Sequence, residues 1–291
     1  MKKFAIVIVN YNCFNDIKET IGSLLKFDRK IFDIFLVDNN SDKDNLNQIE
    51  KYSLENKVFL LKSDRNLGFA GGNNLAINLA IRKDYPYIFL LNPDTLIEDK
   101  NFFKFIEQKL VNENIDVIGP LIKYYPEKDK IYFAGGFVNK FTGLTRMNGK
   151  KNKDIGQYNK DIECDFITGC AIIIKRKVFQ KIGLLPEEYF LYFEESDFCM
   201  KAKNAGFKIV FTPSTFLYHK VSSSIGYLSN TYIYYMIRNQ KIFSKKYVKP
   251  YYLPIFWTWY FFVWCLGYTF LSVKRGNLNG IKCVLNGSIA N

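Results

Sequence analysis

The stretch Phe4-Ala5-Ile6-Val7-Ile8-Val9-Asn10-Tyr11-Asn12 decides the fold. Six apolar residues, four of them β-branched, stop abruptly at three polar ones. An unbroken apolar run of this length predicts a strand covered on both faces, as in a parallel sheet, where a strand with one wet face would alternate. Lys2 and Lys3 precede the run, but it is too short for the apolar core of a signal peptide.

Outward from this strand, the first 120 residues alternate β-branched runs with amphipathic stretches. That alternation predicts repeated strand-helix-strand units and a mainly parallel central sheet with flanking helices. Strands are expected at 4–9, 31–37, 57–62, 87–91 and 115–118, and helices at 16–26, 44–55, 72–83 and 99–113. Asp16 and Asp99 are expected as N-caps, with Pro86 and Pro120 as boundaries that no helix crosses. Residues 123–162 are rich in Lys, Gly, Asn and Tyr, which predicts a hairpin with a mobile loop near 149–157. A strand at 172–174, a helix at 195–206 and strands at 208–211 and 215–218 follow.

The composition, 48% hydrophobic and 24% charged over 291 residues, is that of a globular chain. Its six cysteines form no C-x-x-C pair, so they read as reduced and cytosolic. The net charge of +13 is one-sided: 29 of the 41 bases and all 28 acids lie at or before Asp197, and the last 94 residues carry 12 bases and no acid. Such a field favours an anionic partner, a nucleic acid or an acidic membrane surface. From Pro250 to Val273 there is no charge at all, a length sufficient to cross a bilayer. Pro254 and Gly267 interrupt it, tryptophans and tyrosines are spread through it, and bases flank both ends, which predicts an element lying at the interface in preference to a span or a buried contact. The bases accompany an aromatic run instead of a nucleic-acid reading motif, so no nucleic-acid partner is expected. The division expected is 1–226 for catalysis, with the nucleotide part at 1–120 and the acceptor part at 121–226, and 227–291 as a helical membrane-associating region.

Ligands of an open parallel sheet bind beyond the carboxyl ends of its strands. Those positions here are Asn10-Tyr11-Asn12, Asp38-Asn39-Asn40-Ser41 and Asn92-Pro93-Asp94-Thr95, three polar clusters able to face one crevice or merely to make turns. Asn66-Leu67-Gly68-Phe69-Ala70-Gly71-Gly72-Asn73-Asn74 could bring backbone close to a ligand at a helix start, although it is neither a phosphate loop nor a dinucleotide fingerprint. Asp94 sits where a hard cation on a diphosphate would need an oxygen ligand. Glu194-Glu195-Ser196-Asp197 gathers three carboxylates at a helix start behind an aromatic segment, where the helix dipole or a working general base could each account for them. His219, the only histidine, is followed by Lys220 and the run Ser222-Ser223-Ser224 and is a candidate for diphosphate or metal contact.

Taken in order, Ile8 to Asn12, Val37 to Ser41, Asn66 to Asn74, Leu91 to Thr95, Thr168 to Ala171, Phe193 to Cys199 and Tyr218 to Lys220 resemble glycosyltransferase family 2, in particular its rhamnosyltransferase-like branch. The resemblance runs from about residue 4 to 226. It implies a GT-A fold and sugar transfer with inversion from a nucleotide diphosphate donor, dTDP-rhamnose or a UDP-hexose. The implied acceptor is a hydroxyl of a glycan or lipid-linked molecule in bacterial surface polysaccharide synthesis, at the cytoplasmic side of the cell membrane.

By that resemblance Asp38 contacts the nucleobase and Asn10, Tyr11 and Asn12 line the nucleotide pocket, with Asn40, Asn66, Gly68, Gly72, Asn73 and Asn92 also on the donor side. Asp94 and His219 would hold a divalent cation, Mn or Mg, although Asn92 replaces the first acid of the family's D-x-D. Glu195 takes the place of the catalytic base, where the family more often has Asp, and Glu194 and Asp197 remain its rivals. Those two departures keep open a catalytically inactive nucleotide-sugar-binding protein. A nucleotidyltransferase is disfavoured, because the first strand lacks that class's Gly-rich loop with arginine.

Overall fold

The computed structural model describes residues 2–221 and 226–290, so the run Ser222-Ser223-Ser224 lies outside the described residues. By contacts the chain divides into two compact units. One comprises the chain up to Phe137, Met147–Phe190 and Glu194 to Val221; the other takes Val138–Arg146, Leu191–Phe193 and the described residues from Gly226 on.

The first unit is built on one sheet. Its parallel part runs in the order β3 (Phe59–Lys62), β2 (Phe32–Asp38), β1 (Phe4–Asn10), β4 (Tyr87–Leu91). Phe4 to Ile8 and Ile34 to Val37 are fully buried, as a sheet covered on both faces requires. The covering helices are α1 (Phe14–Leu24), α2 (Lys43–Glu55), α3 (Gly68–Arg82) and α4 (Phe102–Asn112). Beyond β4 the sheet becomes mixed. β11 (Ala171–Lys175) inserts antiparallel between β4 and β6 (Val117–Tyr124), and β6 pairs in parallel with β12 (Ile209–His219). The short β10 (Ile162–Glu163) closes the edge, while β5 (Thr95–Leu96) lies antiparallel on the far end of β12. That last pairing matters most for the site, because it sets His219 opposite Thr95.

Several local expectations change for identifiable reasons. Asp16 is not an N-cap: α1 starts at Phe14, and Asp16 stands in its first turn. Asp99 is not one either, since it accepts from Asn101 N–H at 2.9 Å and Thr215 Oγ1 at 2.5 Å, one turn ahead of α4. The two strands expected at 208–211 and 215–218 are one, with a register shift between Thr212 and Phe216 where Pro213 interrupts the ladder. The loop expected to be mobile is tied to β7 (Ile131–Phe133): Ile131 N–H donates to Asn152 O at 2.9 Å and Lys151 N–H to Ile131 O at 2.8 Å. A hairpin of β8 (Gly136–Val138) and β9 (Thr145–Met147) follows. Helix α5 (Arg176–Ile182) and then α6 (Glu194–Asn204), which begins on the acidic cluster, complete this unit.

The second unit is helical. α7 (Asn230–Tyr247) packs with α8 (Leu253–Trp259), a π-helical turn over Tyr260–Cys265, α9 (Leu266–Lys274) and α10 (Leu278–Ile289). Its core is aromatic, with Phe256 and Tyr260 fully buried and the Tyr260 hydroxyl donating to Ile237 O at 3.1 Å.

Candidate active site

Asn10 and Asp38 end neighbouring strands in register. Asn10 Nδ2 donates to Asp38 Oδ1 at 2.8 Å and to Ser41 Oγ at 2.9 Å, while Ser41 N–H donates to Asp38 Oδ2 at 3.1 Å. The N–H of Asn12 reaches Ser41 Oγ at 3.0 Å, and Asp42 N–H reaches Asn12 Oδ1 at 2.8 Å. Buried Asn10 and Asp38 therefore satisfy each other and form a floor. Asn12 and Asn40 take left-handed φ values of 54° and 65°, which asparagine adopts more readily than most residues. These turns leave Tyr11, Asn12 and Asn40 exposed as a rim above that floor.

The glycine-rich segment, expected on the donor side, is also tied into the fold. Asn39, named above only as part of the strand-end cluster, is its hub: Nδ2 donates to Asn66 Oδ1 and Gly68 O at 3.0 Å each, and Oδ1 accepts from Leu67 N–H at 2.9 Å. Gly68 has φ +70°, and a Cβ there would sit 2.2 Å from the carbonyl oxygen of Phe190, which accepts from Phe69 N–H at 2.8 Å. Gly72 packs on Val9, where a Cβ would meet Cγ1 at 3.0 Å, and Asn73 Nδ2 donates back to Phe69 O at 2.8 Å. Gly68, Gly72 and Asn73 are buried, so these residues seat a helix against the sheet and against Phe190. Asn74 extends the same seat by donating to Leu185 O at 2.9 Å and Glu187 Oε1 at 2.8 Å.

The β5–β12 pairing brings Asp94 and His219, 125 residues apart in sequence, to 3.0 Å between Oδ1 and Nε2. Both are almost fully buried, and Lys220 N–H donates to Asp94 O at 2.9 Å. Two donor atoms each about 2.1 Å from one cation and at right angles are about 3.0 Å apart, so this pair fits adjacent positions of an octahedral ion. Among the described residues no third His, Cys, Asp or Glu joins them. Remaining ligands would have to come from a diphosphate and water. Asn92 N–H donates to Cys170 O at 2.9 Å, and the residue is half-buried beside the pair. Lys220 Nζ, next to His219, is paired with Asp16 at 2.9 Å and Glu19 at 3.0 Å.

The three carboxylates at the start of α6 have separate environments. Asp197 is buried and accepts from the Tyr189 hydroxyl at 2.6 Å. Glu194 is buried as well. Glu195 is half-buried as a residue, and burial of its carboxyl raises its pKa from 4.5, opposed by hydrogen bonds from the N–H groups of Glu195, Gly169 and Ser196. A carboxyl held by backbone donors and more basic than usual suits proton abstraction.

Tyr132 is a residue that sequence reasoning missed. Its ring meets His219 edge-on at 4.5 Å between centroids. Burial pushes its phenol well above 10.0, and Cys170, Tyr124, Glu195 and Asp94 push it further, so a neutral hydroxyl lies within the fields of both Glu195 and Asp94. No local signal marks Tyr132, since it sits in a run of lysines and tyrosines.

The pattern of the family described as Glycosyl transferase family 2 matches residues 5–183. The hexosyltransferase Agl10 of low-salt glycan biosynthesis in Haloferax volcanii is 26% identical over 70% of this chain, which spans 63% of that relative's length. The dTDP-rhamnosyl transferase RfbF of Shigella flexneri is 23% identical over 86% of this chain and 82% of its own. Among solved structures, the mannosyltransferase PcManGT of Pyrobaculum calidifontis, in complex with GDP-Man and Mn2+, aligns over 100% of this chain and 76% of its own with a TM-score of 0.60 at 12% identity. GalNAc-T7 with UDP, GalNAc and Mn2+ aligns over 82% of this chain and 48% of its own, also at a TM-score of 0.60, with 16% identity. The likeness establishes the GT-A fold, and relatives cluster in glycan and polysaccharide synthesis. With a matched segment covering more than half its length, the chain belongs to glycosyl transferase family 2.

Proposed function

We propose that this chain is a cation-dependent, inverting glycosyltransferase that moves a sugar from a nucleoside diphosphate donor, dTDP-rhamnose or a UDP-hexose, to a hydroxyl of a glycan or lipid-linked acceptor. The observation that carries the reading is the Asp94–His219 pair, joined at 3.0 Å where the β5–β12 pairing sets His219 opposite Thr95. The similarity to RfbF supports rhamnosyl transfer, and the similarity to Agl10 supports a hexosyl donor.

A divalent ion supplies charge neutralisation to the departing diphosphate. Asp94 Oδ1 and His219 Nε2 would hold it, as Mn2+ or Mg2+. Tyr11, Asn12 and Asn40 rim the nucleotide pocket above Asp38. Glu195 takes the proton of the acceptor hydroxyl as its oxygen bonds to the anomeric carbon. The bond from that carbon to the diphosphate oxygen breaks in the same step, its electron pair leaves with the nucleoside diphosphate, and the anomeric centre inverts. The N–H groups of Gly169 and Ser196 hold the carboxylate in place. We also place the reaction at the inner face of the membrane, because the second unit exposes Phe262, Leu266, Phe270 and Val273 among bases and no acid.

A panel of dTDP-rhamnose, UDP-hexoses and GDP-mannose, offered with Mn2+ or Mg2+ and lipid-linked sugar acceptors, tests this by release of nucleoside diphosphate. Acceptor-dependent release that needs the cation and falls at least 100-fold in Asp94→Asn is expected, the scale at which loss of a charge-stabilising group appears in kcat. Tight donor binding without release for any pair would leave a binding protein and sink the enzyme reading.

A further inference from the structure

The chain enters α6 through an uncommon backbone. Phe190, Tyr192 and Phe193 have φ values of 62°, 68° and 76°, so three bulky aromatic residues within four positions occupy the left-handed region that favours glycine. The next residue is Glu194, and the one after is Glu195. Backbone of this kind persists only where surrounding contacts over-determine it.

Those contacts are identifiable. On the sheet side, Phe69 N–H holds the Phe190 carbonyl at 2.8 Å, and Gly68 leaves room for it. Leu191–Phe193 group by contact with the helical unit. There Asn239, fully buried on α7, donates through Nδ2 to Leu191 O at 2.7 Å and to Tyr192 O at 3.0 Å. Tyr192 meets the Tyr232 ring at 5.3 Å and Phe193 meets Phe243 at 5.4 Å. Tyr232, Asn239 and Phe243 are spaced by seven and four along α7, which puts them on one face of that helix. A single side-chain amide thus bridges two successive carbonyls in the middle of the left-handed run.

We propose that Asn239 is a positioning residue for Glu195: by holding the Leu191 and Tyr192 carbonyls it fixes the left-handed segment, and so the direction in which the chain delivers Glu195 to the acceptor. The proposal rests on Glu195 being the base. It assigns the helical unit a share in catalysis that is separate from any membrane contact, through a residue that lies outside all the motifs of the family match.

The test uses Asn239→Asp, which keeps the shape but exchanges the donating amide for a second acceptor, and Asn239→Gln, which restores the donor at longer reach. With the donor turned over fastest in the panel above, dTDP-rhamnose on the present reading, Asn239→Asp should lower kcat by about 10- to 100-fold, the scale of a small misplacement of a reacting group. Donor KM should stay within about threefold and Asn239→Gln should recover part of the rate. The acid limb of the kcat profile should also move in Asn239→Asp, since the surroundings of the base change. Donor affinity by calorimetry on the same sample separates a folding defect: binding kept while kcat is lost supports the proposal, and parallel loss of both overturns it. Unchanged kcat in Asn239→Asp also overturns it. Glu195→Gln, run alongside, tests the underlying reading separately, because near-normal turnover there removes the base whatever Asn239 does.

Discussion

Glu195 serves two masters, because the burial that makes its carboxylate more basic also makes its charge costly to the fold. The folded protein binds the Glu195 proton more tightly than the unfolded chain does, so between 4.5 and the raised folded value the native state carries more protons. Stability from this group is therefore present below that window and is lost as pH rises through it. Activity runs the other way, since the base must be ionised. Turnover should fall as pH drops through a pKa above 4.5, and Glu195→Gln should lose at least 100-fold in kcat while melting no lower than the wild type near pH 8. A kcat profile paired with thermal melts across pH 4 to 9 checks both, and a clear fall in the Glu195→Gln melting point at pH 8 would contradict the linkage. At this scale the sequence was legible wherever chemistry concentrates in one short motif: Asp94, Glu195 and His219 stand out by type and place. It gave Asn39 no role of its own and was silent on Tyr132 and Asn239, because their partners lie 27 or more residues away, as with the Asn39 bond to Asn66 and the Asn239 bonds to Leu191 and Tyr192. The close packing of Gly72 on Val9 was equally unreadable, because a glycine kept for close packing and one kept for a ligand look alike in sequence.

The glycine-rich segment shows the same ambiguity resolved at the level of an element. Helix α3 starts at Gly68 because only a residue without Cβ fits under the Phe190 carbonyl at φ +70°. Gly68→Ala should cost about 1–3 kcal/mol from the left-handed backbone alone and more from the clash, read as a lower midpoint in urea. Gly22, inside α1 with open space around it, provides the opposite case: Gly22→Ala should raise stability by about 0.5–1 kcal/mol. Equal effects at the two positions would show that Gly68 is not the fixed point inferred for it. The parallel strands were readable because fully buried β-branched runs carry their own signature. Less readable were β11, an apolar run whose antiparallel direction nothing local encodes, and β12, which Pro213 made look like two strands. Pairing of β5 with β12 could not be read at all, though it is what joins Asp94 to His219.

For the whole molecule the uneven charge finds its structural counterpart in the helical unit. The helix over Pro250–Lys274 is long and apolar enough to cross a membrane. One side, with Phe256, Tyr260, Tyr268 and Ser272, is buried within the unit, and the other presents Ile255, Phe262, Leu266, Phe270 and Val273 at intervals of seven, four, four and three. On α10, Leu278, Leu285 and Ile289 repeat the same spacing and are also exposed. On the proposed reading, a helix already packed on one side and apolar on the other suits an element lying in the interface better than one crossing the bilayer, and the neighbouring Lys245, Lys246, Lys249, Lys274, Arg275 and Lys282 would add about 1 kcal/mol each at an anionic surface. The purified chain should therefore bind vesicles containing phosphatidylglycerol, bind neutral phosphatidylcholine vesicles more weakly, and lose the difference between them as salt is raised. Phe262→Asp with Phe270→Asp should abolish vesicle binding while turnover of a soluble acceptor analogue continues, because neither residue belongs to the catalytic site. Binding that is equal on both lipids at every salt concentration would remove the electrostatic part of the reading, and vesicle binding that survives the double substitution would remove the docking face itself. Neither result would touch the Asp94–His219 pair, which the β5–β12 ladder makes within the sheet.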